Sequence, residues 1–351
     1  MNQSEKIAQG IFVRRYEEGK KGIRPLSPKE AFDNSDGFDA SPERMKRLRE
    51  MLKKSEIGRE TLEFMKSNKT HIEFEVANCY GFFDPKKNYV ALNPYFSDED
   101  LAITFVHEMR HARQSTIMEN SSAAMTPETL LKNGFLIEAD ACAAECMLAH
   151  QMMEQGDRSI FEAHQKTPYA PMSTAFEKEY AKSHDLDKAR NAAFMKWYDL
   201  PVRETYTKEY IGFMKKIAAI DMIARGLKIE NQGFFSKSVS TTEMAEKMCF
   251  NSDGKCYVEN PKKLETPGKL NVSEKQAHQI AFAMKVFSRK GKRSIDELGL
   301  DNIYVRRGNF YSTVQKEMAE QQKKKEEQRQ KRQNVLTAVH NAIKGKSGYS
   351  N

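Results

Sequence analysis

The chain has 351 residues, of which 39% are hydrophobic and 30% charged, enough apolar material for a buried core, so the composition excludes a disordered protein. Five cysteines (Cys79, Cys142, Cys146, Cys249, Cys256) make an odd number in a long chain, which argues against a disulfide framework and for reduced thiols. The formal charge of +8 is unevenly spread: residues 71–150 hold 5 Lys/Arg against 12 Asp/Glu, and residues 251–351 hold 21 against 11.

No apolar run reaches the roughly 18 residues of a membrane-spanning helix, and the opening MNQSEKIAQG has neither the charged nor the apolar region of a secretory signal. A cytoplasmic protein is expected, with leaderless secretion as an effector the other route.

Residues 1–40 carry Gly, Pro, Ser and Asp with little periodicity and read as a flexible lead. Ser41-Pro42-Glu43 then opens a charged helical stretch to about Lys66. From His71 the run HIEFEVANCYGFF, the turn residues Asp84-Pro85-Lys86-Lys87-Asn88, and YVAL predict a β-hairpin with Ile72, Phe74 and Val76 on one face. Ser97 and Asp100 form a capping signature before LAITFVHEMRHARQ, where Leu101, Phe105, Met109 and Ala112 recur at helical spacing. Thr126-Pro127-Glu128 starts a further helix, which Asn133-Gly134 is expected to interrupt before FLIEADACAAECMLAHQMM.

Residues 155–228 read as mostly helical, with core stripes from Phe176, Phe194, Trp197, Tyr198, Tyr206, Tyr210 and Phe213. Residues 229–270 read as loops. Ser273 and Gln276 cap another helix, followed by the basic SRKGKR. The Lys/Glu/Gln/Arg run from Lys316 to Arg332 predicts a solvated helix, and beyond it Leu336, Val339 and Ile343 form an apolar stripe able to dock a protein partner.

The chemistry is concentrated in His107-Glu108-Met109-Arg110-His111. On a helix, positions four apart share a face, so His107 and His111 can direct imidazole nitrogens at one zinc ion. Glu108 is then placed to act as general base toward a water activated by the metal, without itself being a ligand. A catalytic zinc needs a third protein ligand from downstream, with Glu128, Glu138, Asp140 and Glu145 as candidates. Glu138 is preferred, because an unpartnered carboxylate in the apolar stretch FLIEADACAAE would be costly. Glu145, seven residues further on the same face, is placed to orient a histidine, and Asp140 and Glu145 both remain alternatives as ligand. An oxyanion stabiliser is also required, and Tyr169, His184, Tyr198 and Tyr206 qualify by type. His150 reads as a polar-face residue. Cys142 and Cys146, four apart, read as buried small side chains in preference to metal ligands.

HEMRHARQ followed by IEADACAAE resembles the paired helices of gluzincin-type peptidases, whose third ligand is a glutamate on the helix after the motif. More narrowly, YGFFDPKKNYVALNP through EADACAAE, with AFEKEYAKS and AAFMKWYDL, is similar to a bacterial family of metallopeptidase domains over residues 70–215. The same acid followed by Ala is also similar to small phage-immunity zincins that cut repressors. Thermolysin-like enzymes carry an Asp four residues after the glutamate, a position held here by Cys142.

The resemblance implies an α+β fold with a mainly helical zincin-like core, a small antiparallel sheet and extra helices at both ends. The expected organisation is a lead and helix over 1–70, a metallopeptidase domain over 71–228 and a basic, mostly helical region over 229–351. The expected function is hydrolysis of a peptide or protein substrate with one zinc ion held by His107, His111 and Glu138 and with Glu108 as general base. The rival is a non-catalytic zincin-like or basic binding protein for nucleic acid or a protein partner. Interleaved acids and the lack of a recognised nucleic-acid motif argue against nucleic acid, and no membrane contact is expected.

Overall fold

The computed structural model describes residues 39–117, 122–229, 233–288 and 295–346. The expectations for residues 1–38 and for the basic run at 289–293 lie outside them. The first described elements are α1 (Pro42–Lys53) and α2 (Glu56–Ser67). One continuous helix to Lys66 was expected. The break falls at Ser55, whose hydroxyl accepts the Gly58 amide and starts α2 afresh. Ser41 caps α1 by accepting the Arg44 amide. The buried Arg44 side chain donates to the Asp98 carboxylate at 2.6 Å and to the carbonyls of Asp39, Pro94 and Phe96. It thereby ties α1 to the turn that leads into the motif helix.

Strands β1 (His71–Phe74), β2 (Gly81–Asp84) and β3 (Tyr89–Leu92) form a sheet in the order β1-β3-β2. The predicted hairpin is β2–β3, antiparallel, with Phe83 opposite Val90. The His71 run is a separate strand parallel to β3, with Ile72 opposite Val90. Val76 lies beyond the end of β1 and is exposed. At Gly81 a Cβ would sit 2.5 Å from the Ala91 carbonyl oxygen and 2.7 Å from the Thr104 side chain. Glycine therefore lets the edge strand β2 lie directly on the motif helix.

That helix, α3 (Asp98–Ile117), is capped by Ser97, which accepts the Asp100 amide. It packs on α4 (Pro127–Glu154), a 28-residue helix buried along almost its whole length and started by Thr126 accepting the Thr129 amide. Asn133-Gly134 does not interrupt α4. A Cβ at Gly134 would lie 2.1 Å from the Tyr210 ring, so the glycine serves close packing, not helix termination.

Helices α5 (Ser159–Gln165), α6 (Ala170–Ser183), α7 (Leu186–Trp197) and α8 (Val202–Gly226) complete the surround. Phe176, Phe194, Trp197, Tyr198, Tyr206 and Tyr210 are buried, as their helical spacing predicts, whereas Phe213 is half-buried. The stretch expected as loops contains α9 (Thr241–Met248) and a 3₁₀ turn at Pro261–Glu265.

Beyond it come β4 (Asn271–Val272), α10 (Glu274–Ser288), β5 (Tyr304–Arg307), β6 (Phe310–Thr313) and α11 (Val314–Lys346). Ser273 and Gln276 cap α10 reciprocally. The second sheet, in the order β4-β5-β6, was not foreseen, since β4 has only two residues. Eleven α-helices and two three-stranded sheets among the described residues make a mainly helical α+β fold. None of these helices is long and apolar enough to cross a membrane. Residues 322–339 of α11 are exposed, with Leu336 at 63% and Val339 at 51%; the Ile343 side chain lies outside the described ones.

The Gly134 contact gives a direct test. Gly134→Val should lower unfolding free energy by about 1–3 kcal/mol through overpacking, and Tyr210→Ala in the same chain should recover part of the loss. Urea denaturation of both variants measures it, and equal, additive losses would show that the two residues do not meet.

Candidate metal centre

The helical repeat of α3 places His107 and His111 side by side, and both are buried. Their Nε2 atoms are 2.9 Å apart. From α4, Glu138 brings Oε2 to 3.8 Å from Nε2 of His107 and Oε1 to 3.7 Å from Nε2 of His111. In a tetrahedral zinc site with bonds of about 2.0–2.1 Å, ligand atoms lie about 3.4 Å apart. All three separations fall within about half an ångström of that edge.

Hydrogen bonds fix which nitrogen of each imidazole faces the centre. Nδ1 of His107 lies 2.5 Å from Oε1 of Glu145. Nδ1 of His111 lies 2.8 Å from Oε1 of Gln114. The amide of Gln114 cannot be turned round, because its Nε2 donates to the Ile137 carbonyl at 3.0 Å and to Asp140 at 2.8 Å, and both are acceptors. Both Nδ1 atoms therefore donate, which leaves the two Nε2 positions for a shared cation. For His107, burial opposes the charge but is outweighed by Glu145 and the other nearby carboxylates, and its pKa rises to about 9. For His111, burial and the charge on His107 press the pKa down to about 3.

Two carboxylates in the centre lack ordinary partners. Among the described residues neither oxygen of Glu138 nor of Glu108 finds a hydrogen bond of normal geometry, and both side chains are completely buried. Burial pushes Glu138 well above the usual carboxylate range, against the pull of His107 and of the Tyr206 hydroxyl that faces it. Burial likewise raises Glu108 to about 8, with His107 and the Phe83 backbone of β2 opposing. A buried, unsatisfied carboxylate beside two inward-facing imidazole nitrogens is a donor set that suits zinc.

The other acids are engaged elsewhere. Glu128 pairs with Lys132 and accepts from Asn302. Asp140 accepts both arms of Arg110 at 2.6 and 3.0 Å, Arg190 at 3.3 Å and the Tyr257 hydroxyl at 2.7 Å. The two guanidinium groups overcome the burial that would raise its pKa and hold it low. Arg110 also donates to the carbonyls of Met248 and Phe250, fastening the segment after α9 to the centre.

Glu145 is bounded by His107 and by His164 at 3.2 Å. His107, Cys142 and Glu145 also lie close enough to share an ion. Burial drives the Cys142 thiol well above its normal pKa, however, and Glu145 is committed to two histidines. The five cysteines are free.

Of the four oxyanion candidates, Tyr206 on α8 reaches the centre, with the Tyr169 hydroxyl 3.4 Å behind it. Tyr198 packs among Phe135, Phe194 and Trp197, and His184 is exposed at the end of α6. His150, expected on a polar face, is buried against Phe176 and Tyr180 and paired with Glu177. Sequence reasoning missed Gln114, Arg190, Tyr257 and His164. Gln114 lies one turn beyond the motif, where its spacing to His111 was a usable signal; the other three come from distant segments with no motif of their own.

A mainly helical α+β fold in which two imidazoles and a carboxylate converge on one interior point defines a protein able to hold a metal ion. The model of the family described as "Putative metallopeptidase family (DUF6782)" matches residues 29–258, about two thirds of the chain, and the chain belongs to that family. The match takes in every residue of the centre. No curated protein and no solved structure matches the chain.

Asp140 and Glu138, two residues apart, should behave oppositely in metal-free protein. Asp140→Asn strips the charge that compensates two buried guanidinium groups and should cost about 3–5 kcal/mol. Glu138→Gln replaces a carboxyl that burial pushes toward its neutral form and should change stability by less than about 1 kcal/mol. Urea unfolding in the presence of chelator measures both, and the reverse ranking would mean that the charges are assigned to the wrong acids.

Proposed function

We propose that this protein is a zinc-dependent peptidase of the gluzincin type, with one ion held by His107, His111 and Glu138 and with Glu108 as general base. The observation that carries the reading is the sealed Glu138 carboxylate, without a normal hydrogen bond, facing two imidazole nitrogens whose protons are directed elsewhere. The family match supports the peptidase class.

Bound there, zinc would supply Lewis acidity, lowering the pKa of water and polarising a peptide carbonyl. Glu108 adjoins the first histidine and has neither oxygen committed to a normal hydrogen bond, so it is available to take the proton of the attacking water. The same carboxyl, protonated in that step, can hand the proton to the leaving amine. Tyr206 is the donor placed to meet negative charge developing on the carbonyl oxygen.

His107, Glu108 and Glu138 have no exposed surface, so a peptide reaches them only when a wall of the centre parts. Helices α3 and α4 carry the ligands and β2 braces Glu108. The proposed catalytic unit is residues 71–228, with the segment around 248–257 bracing it through Arg110 and Asp140. The exposed Leu336 and Val339 leave α11 available for a protein partner while catalysis proceeds.

The purified protein should carry about one zinc per chain by metal analysis, and His107→Ala and His111→Ala should each lose it. Stoichiometric zinc in both variants would remove this helix from consideration. Glu108→Gln should keep its zinc and yet produce no new N-termini from a peptide library followed by mass spectrometry, where wild type does. Cleavage by both would eliminate Glu108 as the base. Cleavage by neither, with salt-sensitive nucleic-acid binding, would favour the non-catalytic reading.

A further inference from the structure

His164 lies in α5, in a stretch (SIFEAHQ) with no recognisable motif, yet it is fully buried beside the proposed metal centre. Its Nε2 is 3.2 Å from Oε2 of Glu145, and its Nδ1 is 3.0 Å from the Ser173 hydroxyl on α6. The other oxygen of Glu145 takes Nδ1 of His107 at 2.5 Å. Glu145 thus stands between two histidines and serves each with one oxygen.

We infer that His164 is a positioning residue, which holds the Glu145 carboxylate in the plane that makes His107 present Nε2 to the metal. This rests on the zinc-site reading proposed above. The directions follow from the groups themselves. An ionised carboxylate only accepts, so Nε2 of His164 donates to it. Nδ1 of His164 meets the Ser173 hydroxyl at 3.0 Å, and that oxygen also accepts the Gln165 amide at 2.8 Å and lies 3.3 Å from the Ala170 carbonyl. The result is one connected chain, from Gln165 through Ser173 and His164 to Glu145, with His107 donating to Glu145 from the other side. Glu145, His164 and Ser173 are buried, so water does not substitute for a lost member.

Without His164, Oε2 of Glu145 would lose that donor and the carboxylate would be held by His107 alone. The carboxylate could then rotate, and the imidazole with it. Cys146, whose sulfur lies 3.9 Å from Nε2 of His164, offers in its place only the weak S–H donor of a thiol. The centre accordingly extends beyond the motif helix and α4 to two short helices that supply no ligand.

The test is zinc affinity by chelator competition, together with the visible spectrum of the cobalt(II)-substituted full-length protein. His164→Phe fills the space without a donor and should weaken zinc about 10- to 100-fold and shift the cobalt bands. His164→Gln restores an N–H toward Glu145 and should recover most of both. Should His164→Phe fail to fold, Ser173→Ala leaves the ring packed and should still weaken zinc about fivefold by removing one hydrogen bond from the chain. Wild type binding zinc while His164→Phe or Ser173→Ala binds it equally, with unchanged cobalt bands, would overturn the positioning role alone. Wild type taking up no zinc would overturn the metal site itself.

Discussion

A carboxylate sealed inside a protein is stable only beside a compensating charge, or as the neutral acid, and among the described residues Glu138 has no cationic side chain paired to it other than the imidazole edge it faces. The interior of this fold is arranged around that constraint. Two residues along, Asp140 shows the opposite solution, with two arginines, a tyrosine and a glutamine satisfying its oxygens. One helix therefore carries a carboxylate fully committed to structure and another kept uncommitted, at positions too close for separate environments to arise by chance of depth. The difference lies in which face of α4 each occupies: Asp140 meets Arg110 and the segment after α9, whereas Glu138 meets the two histidines.

Each histidine has its own support. His107 is held by Glu145, which is held by His164. His111 is held by Gln114, whose amide is fixed by Asp140 and the Ile137 carbonyl. The two chains approach from different helices and converge on a pair of nitrogens 2.9 Å apart. Such separation matters physically, because a ring oriented through its Nδ1 loses the rotational freedom that would otherwise oppose metal binding. The same hydrogen bonds run from α5, α6, α7 and the residues around Tyr257 into the centre, so packing of the outer helices and geometry of the inner site are one problem.

Much of this was legible in the sequence because it is local. The caps at Ser41, Ser97, Thr126 and Ser273 are short-range hydrogen bonds, and the His107/His111 pair is set by helical spacing alone. Glu138 could be singled out because an acid inside FLIEADACAAE lacks a local partner. What failed depended on contacts distant in sequence. Asn133-Gly134 looks like a helix stop until the Tyr210 ring, from a helix about 75 residues away, explains the glycine. The His71 run looks like half of a hairpin, but its partner β3 is reached in parallel, and strand direction leaves no mark on so short a segment. His164 and His150 resemble ordinary polar residues because burial, not spacing, gives them their roles.

In the proposed site two imidazoles and one carboxylate, with no thiolate, hold a zinc ion. X-ray absorption at the zinc edge of the loaded wild-type protein tests this most directly. The predicted first shell contains nitrogen and oxygen at about 2.0–2.1 Å with the outer-shell scattering of two imidazoles. A sulfur contribution at about 2.3 Å would instead place the ion at Cys142 or Cys146 and contradict the claim.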